Sequence, residues 1–203
     1  QCPIPASSIK RAAKKDGEIV DVIADRSAPL VAQVFKTRID PFVQKLSYVR
    51  VFSGTMKKDD NVPASTARKG IKLNQPLLVQ GSETKPLDEA GPGEIIAIAK
   101  MEDLHTGTTL GPYTLPEIEF PTPMVGLAIT PKSRGDETKL STALHKICEE
   151  DPTFHTDRDP QTKELVGTGM SELHLTVIRE RLKRRDKVEV DTKEPKIPYR
   201  ETI

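Results

Sequence analysis

From residue 30 to residue 111 the apolar positions come in short runs rich in β-branched and aromatic residues. Turn clusters cut between them: Ser53-Gly54, Lys58-Asp59-Asp60-Asn61 and Gly91-Pro92-Gly93. Val49, Val51 and Ser53 alternate with Arg50 and Phe52, so one face of that run is apolar and the other mixed, as a half-buried strand requires. Several closely spaced strands with no helical window predict an all-β barrel. The pattern changes after Pro123. Residues 124–130 read as a strand, and residues 136–150 place Leu140, Leu144 and Ile147 at i, i+4 and i+7, with Ala143 alongside, which predicts an amphipathic helix. That helix should stop near Asp151, because the residue before Pro152 is pushed away from helical dihedrals. Strands over 154–158 and 164–170 follow, joined by the turn Asp159-Pro160-Gln161-Thr162. Ser171 is placed to cap a second helix whose Leu175, Ile178 and Leu182 repeat at i, i+3 and i+7, and residues 187–192 close with a strand. The order β-α-β-β-α-β predicts an α+β ferredoxin-like domain, with both helices on one face of an antiparallel sheet.

These patterns divide the chain into a connecting segment at 1–28, a barrel at 29–112, a proline-rich linker at 113–122 and the ferredoxin-like domain at 123–203. Residues 1–28 are rich in Pro, Ser, Lys and Asp without a sustained period, and one short strand is expected at 18–23. The linker is stiffened by Pro112, Pro116, Pro121 and Pro123 in and beside it. A length of 203 residues suffices for two cores. Hydrophobic residues are 35% and charged residues 30%, a globular balance with eight aromatics to anchor those cores (five Phe, three Tyr). Net charge is +1, so any RNA contact must come from a local patch instead of a bulk basic field. Cys2 and Cys148 stand too far apart in sequence for a disulfide framework or a metal knuckle, which points to a reducing compartment. No apolar run is long enough to span a bilayer and no signal pattern opens the chain, so a cytoplasmic protein is expected.

Three stretches carry residues with chemical potential. His155, Asp157 and Asp159 would share one face of a strand, about 6.6 Å apart, with Asp151 close in sequence. An exposed hairpin uses Asp and His for turn formation, and no second His or Cys completes a ligand set, so no metal is assigned; Glu102-Asp103-Leu104-His105 is weaker still. Ser171 and His174 stand one helical turn apart beside Glu172, but a capping serine has its oxygen occupied by backbone amides, and no G-x-S-x-G elbow is present; no catalytic residue is assigned. The basic run Arg179, Arg181, Lys183, Arg184, Arg185 and Lys187 could meet a polyanion or simply be a solvated face, with Glu180 and Asp186 interleaved. It carries no aromatics, so it would read RNA backbone and shape. No G-x-x-x-x-G-K-[ST] phosphate loop occurs, so the isolated chain is expected neither to bind nor to hydrolyse GTP.

The run Gly167-Thr168-Gly169-Met170-Ser171-Glu172-Leu173-His174-Leu175 closely resembles the turn-and-helix signature of the third domain of translation elongation factor G. Asp40-Pro41-Phe42-Val43, then residues 46–54 (LSYVRVFSG) and 93–110 (GEIIAIAKMEDLHTGTTL), look like the β-barrel second domain of the same factor. The resemblance runs in order from about Pro29 to Ile203 and implies an excised middle piece of a GTPase, with residues 1–28 as the strap from the GTPase domain and residues 198–203 as the handover to a fourth domain. GTP and Mg²⁺ would belong to the full-length parent. The partners it implies are the ribosome, through small-subunit RNA and protein, and the GTPase domain in cis, with the protein a monomer. It further implies the wall of a fusidic-acid-type pocket: Pro121 and Pro123 of EFPTP, Asp151, Pro152 and Thr153 of EDPTF, and His174 and Arg181 of ELHLTVIRER. Arg179, Lys183, Arg184, Arg185 and Lys187 are the candidate ribosome contacts. His174 and Arg181 are expected on an exposed helix face, serving coupling instead of folding, with Ala at either costing under about 1 kcal/mol. Thr108 departs from a usual Asp, Ser171 from a usual Gly, and residues 69–88 match poorly. A ribosome-protection or recycling paralogue, or a free-standing RNA-binding or scaffold protein, are the alternatives.

Overall fold

A computed structural model describes residues 11–15, 17–40, 44–81 and 83–197. Cys2, the motif residues Pro41, Phe42 and Val43, and the stretch 198–203 lie outside the described residues. The chain divides into two compact units, Gln1–Ile118 and Glu119–Ile203.

The amino-terminal unit is built from β1 (Arg11–Lys15), β2 (Glu18–Val22), β3 (Val31–Asp40), β4 (Gln44–Ser53), β5 (Met56–Lys57), β6 (Asn61–Val62), β7 (Ile71–Lys72), β8 (Pro76–Gln80), β9 (Glu83–Pro86), β10 (Glu89–Ala90), β11 (Ile95–Ala99) and β12 (Thr109–Leu110). Six of them form one antiparallel sheet in the order β12-β3-β4-β11-β8-β9, and the pairs β5–β10 and β6–β7 complete the barrel. The alternation read from the sequence holds: Val49, Val51 and Ser53 are buried while Arg50 and Phe52 are half-exposed. Val34, Val49, Val51, Met56, Leu73, Ile96, Ile98, Leu104 and Leu110 share one apolar core. Leu73 anchors the segment 69–88 to it despite that segment's weak match in sequence.

Residues expected as a connecting segment carry two strands instead of one: β1 and β2 pair as a hairpin from Arg11↔Val22 to Lys15↔Glu18. Its reason is a second small core, in which Ala13 and Val22 pack with Val31 and Leu115, beside Phe52 and Tyr113. Lys14 and Thr114 exchange both backbone hydrogen bonds, at 2.8 and 2.9 Å, so the first residues of the predicted proline-rich linker belong to this unit. A two-stranded ribbon is marginal alone, and this packing is what steadies it.

The carboxy-terminal unit runs β13 (Val125–Pro131), α1 (Glu137–Glu150), β14 (His155–Arg158), β15 (Leu165–Gly169), α2 (Glu172–Arg181) and β16 (Val190–Lys193). Its sheet is antiparallel in the order β14-β15-β13-β16, which is the ferredoxin-like topology. Leu140, Ala143, Leu144 and Ile147 of α1 are buried against Leu175, Ile178 and Leu182, so both predicted stripes meet in one core around Phe154. Asp151 turns extended (φ −128°, ψ 96°) ahead of Pro152 and ends α1. Close approach makes Gly167 necessary: a Cβ there would lie 2.7 Å from Ile129 Cδ1 and 3.2 Å from the Phe154 ring. The last strand starts later than predicted, because α2 widens into a π-type turn over Leu182–Asp186 and closes on Lys187 in the left-handed region (φ 57°). Among the described residues no helix is long and apolar enough to cross a membrane.

Candidate functional site at the junction of the two helices

The end of α1 and the start of α2 meet in a polar node. Asp151 stands at the C-cap of α1, where its extended backbone turns the carboxylate towards the next two residues. Its Oδ1 accepts from Thr153 N at 3.0 Å and from Thr153 Oγ1 at 2.6 Å. Its Oδ2 lies 2.9 Å from His174 Nε2. The other ring nitrogen, His174 Nδ1, accepts from Met170 N at 3.1 Å. Since Nδ1 is used as an acceptor, the proton sits on Nε2 and is donated to Asp151. Ser171 caps α2 as predicted, its Oγ accepting from His174 N at 3.1 Å. Phe154, fully buried, meets the imidazole edge-on at a centroid distance of 6.3 Å.

This corrects the expectation that His174 sits on an exposed helix face. Its side chain is 17% exposed and all its polar atoms are engaged within the domain, because the GTGMS turn brings the Met170 amide onto the ring. Arg181 does lie further out, 40% exposed, with Nη1 3.8 Å from Glu150 Oε2.

Burial works against ionisation of Asp151, but the hydrogen bonds from Thr153 and His174 outweigh it and hold the carboxyl below its ordinary value of 3.8. Folding therefore favours the carboxylate: its contribution is complete above the ordinary value and is lost as pH falls through the lower, folded one. The stability gap between the wild-type chain and Asp151→Asn should accordingly narrow on going from neutral pH to about pH 3. Urea melts at both pH values check it; an unchanged gap would mean the carboxylate's charge is not what the node uses.

The remaining predicted residues divide by their surroundings. Pro121 is exposed and Pro123 half-buried in the extended stretch before β13, where Met124 N donates to Gly169 O at 3.0 Å; neither proline takes part in the polar node. Pro152 is half-buried between Asp151 and Thr153. The basic run is largely committed within the domain. Arg185 Nη1 lies 2.6 Å from Glu150 Oε2, and its Nε 3.1 Å from Asp186 Oδ2. Lys183 pairs with Glu189 at 2.9 Å and Arg184 with Glu180 at 3.7 Å, while Lys187 Nζ donates to the Arg184 carbonyl. Arg179 has no ion pair among the described residues and lines a groove of about 390 Å³ with Lys132, Lys183 and Glu189. Sequence reasoning missed Glu150 and Phe154, although an acid at a helix end and a lone aromatic before a strand were both visible signals. Asp159 is spent on the hairpin, accepting from Gln161 N and Thr162 N at 2.7 and 2.8 Å. Among the described residues no group of three or more His, Cys, Asp or Glu could hold a metal ion.

Two family profiles match in tandem: elongation factor G domain 2 over residues 29–112 and elongation factor G, domain III, over residues 120–194. The chain belongs to the elongation factor G family. Its fold is similar to a crystal structure from Thermus thermophilus, with a TM-score of 0.74 and 35% identity over 86% of this chain. The chain spans 27% of that protein's length. What is present here is thus the second and third domains of an elongation-factor-G-type translation factor. The polar node belongs to domain III. Of the two departures from the family pattern, Ser171 works as the α2 cap. Thr108 serves its own turn: its Oγ1 accepts from His105 N at 3.1 Å and its amide donates to the His105 carbonyl at 3.0 Å.

Proposed function

We propose that these two domains dock an elongation-factor-G-type GTPase on the ribosome and pass the state of its nucleotide to the moving parts of the factor during translocation of transfer and messenger RNA. The tandem of the two family domains in order carries this reading. GTP and Mg²⁺ act in the GTPase domain, the partner in cis, and this chain supplies no catalysis. Its part is mechanical: domain III is a rigid body, locked by the Asp151–His174 node, whose position two sites can bias. On this reading Pro121, Pro123, Asp151, Pro152, Thr153, His174 and Arg181 face the pocket in which fusidic acid would lodge, and Arg179 is the member of the basic run most available to the ribosome. The protein works in the cytoplasm as a monomer.

The test is a hybrid factor in which these domains replace their counterparts in an active elongation factor G. Ribosome-stimulated GTP turnover and translocation should be retained within about tenfold, a barrier change of about 1.4 kcal/mol. A hybrid that folds and hydrolyses GTP without ribosomal stimulation would refute the reading. Pelleting of the 203-residue chain with small ribosomal subunits should accompany activity.

A further inference from the structure

The outer face of the barrel carries an aromatic and basic surface that the domain III node does not use. Strands β3 and β4 pair with a bulge between Val34 and Lys36, so Phe35 is an extra residue with no partner across the ladder. A bulge re-aims a side chain, and here it turns Phe35 outward, 39% exposed, with its ring 6.4 Å from Tyr48 at an interplanar angle of 52°. Lys36 stands directly opposite Tyr48, and Arg38 follows two positions on along the same face. Arg50 follows Tyr48 on that face, with the half-exposed Ile95 across from it. Lys36, Arg38 and Arg50 make no ion pair among the described residues, whereas most cations of the α2 basic run are paired. Two aromatics amid three uncompensated cations form a platform with local positive charge on a chain whose net charge is only +1.

We infer that this face binds a single-stranded segment of RNA, with an unstacked base seated on Phe35 beside Tyr48 and Lys36, Arg38 and Arg50 on the adjoining phosphates. Charge complementarity selects a polyanion, and the outward ring selects one with an accessible π-face, which a duplex does not offer at its side. The inference deepens the ribosome-docking reading and rests on it for the physiological partner, but the chemistry of the face stands by itself.

The experiment uses the whole 203-residue chain. Its probes are a short single-stranded oligoribonucleotide carrying 2-aminopurine, an RNA duplex, and heparin as a base-free polyanion. Binding should quench the 2-aminopurine and weaken with salt. Phe35→Ala should abolish the quenching and weaken binding about tenfold, Phe35→Trp should restore both, and neither should change heparin binding. Lys36→Ala and Arg50→Ala should each weaken oligonucleotide and heparin binding and reduce the salt slope by about one. Thermal melts confirm that each variant is folded. The inference is overturned if the wild-type chain fails to bind the single strand at low salt, if it prefers the duplex, or if folded Phe35→Ala binds and quenches normally. Co-sedimentation separates this from the broader reading. A wild-type chain that binds the oligonucleotide but ignores small subunits sinks the ribosomal role alone; one that pellets with them equally well as Phe35→Ala sinks this face.

Discussion

Gly111→Ala should destabilise the barrel by more than about 4 kcal/mol, enough to unfold a domain of ordinary marginal stability. The backbone at Gly111 has φ +118°, where side chains are strained, and a Cβ would lie 1.8 Å from the Leu30 carbonyl oxygen and 2.9 Å from its carbon. Both colliding atoms are backbone, so no rotamer change relieves the contact. The strand around Leu30 and Val31 must move, and with it the start of β3 and the small core that holds the β1–β2 hairpin. Gly111 N also donates to Pro63 O at 2.8 Å, which pins it from the other side. Gly107 is the internal control. It too has positive φ, +94°, but nothing lies within 4 Å of the Cβ position. Gly107→Ala should therefore cost only the dihedral strain, about 1–2 kcal/mol. Chemical denaturation of both variants gives the comparison; similar small losses would show that β3 yields easily and that the close approach is not essential.

His174→Ala should cost the chain about 2–4 kcal/mol. It leaves the Met170 amide and one oxygen of Asp151 without partners, and each half-buried polar group so orphaned costs about 1–3 kcal/mol. The edge contact with Phe154 goes too. Arg181→Ala removes only a long ion pair from a half-exposed side chain, and should change stability by less than about 1 kcal/mol. The two positions, equivalent on the helical wheel, thus separate by environment. The coupling between His174 and Asp151 is read by a double-mutant cycle with Asp151→Asn, where an interaction of at least about 1 kcal/mol is expected. Additive effects, or a His174→Ala chain that melts with the wild type, would return His174 to the exposed face that its sequence position suggested. In the hybrid factor, a destabilising His174→Ala should depress ribosome-stimulated turnover in proportion to the loosened node.

Local signals settled a good deal of this protein. The period-two pattern through Val49, Val51 and Ser53 and the helical stripes of Leu140, Leu144 and Ile147 and of Leu175, Ile178 and Leu182 each became a buried face, because burial of a periodic apolar set leaves an element one workable orientation. Pro152 ended α1 and Ser171 began α2, since both act on backbone groups within a few residues of themselves. The tandem of two domains was legible for the same reason: each is marked by motifs whose chemistry is local.

What tertiary structure decided were relations between distant positions. Residues 11–22 read as a connector, since Ala13 and Val22 find their burial only against Val31 and Leu115, far along the chain. His174 looked exposed by its place on the helix, yet Asp151, 23 residues earlier, and the fold of the turn at Met170 close around its ring. Arg185 looked like one cation among six; Glu150, 35 residues away, takes it out of the surface. Phe35 was one apolar letter in a strand until the bulge turned it outward to Tyr48. A sequence states what each residue can offer, whereas which offers are taken up depends on partners brought together by chain reversal, and those pairings are not written in any local period.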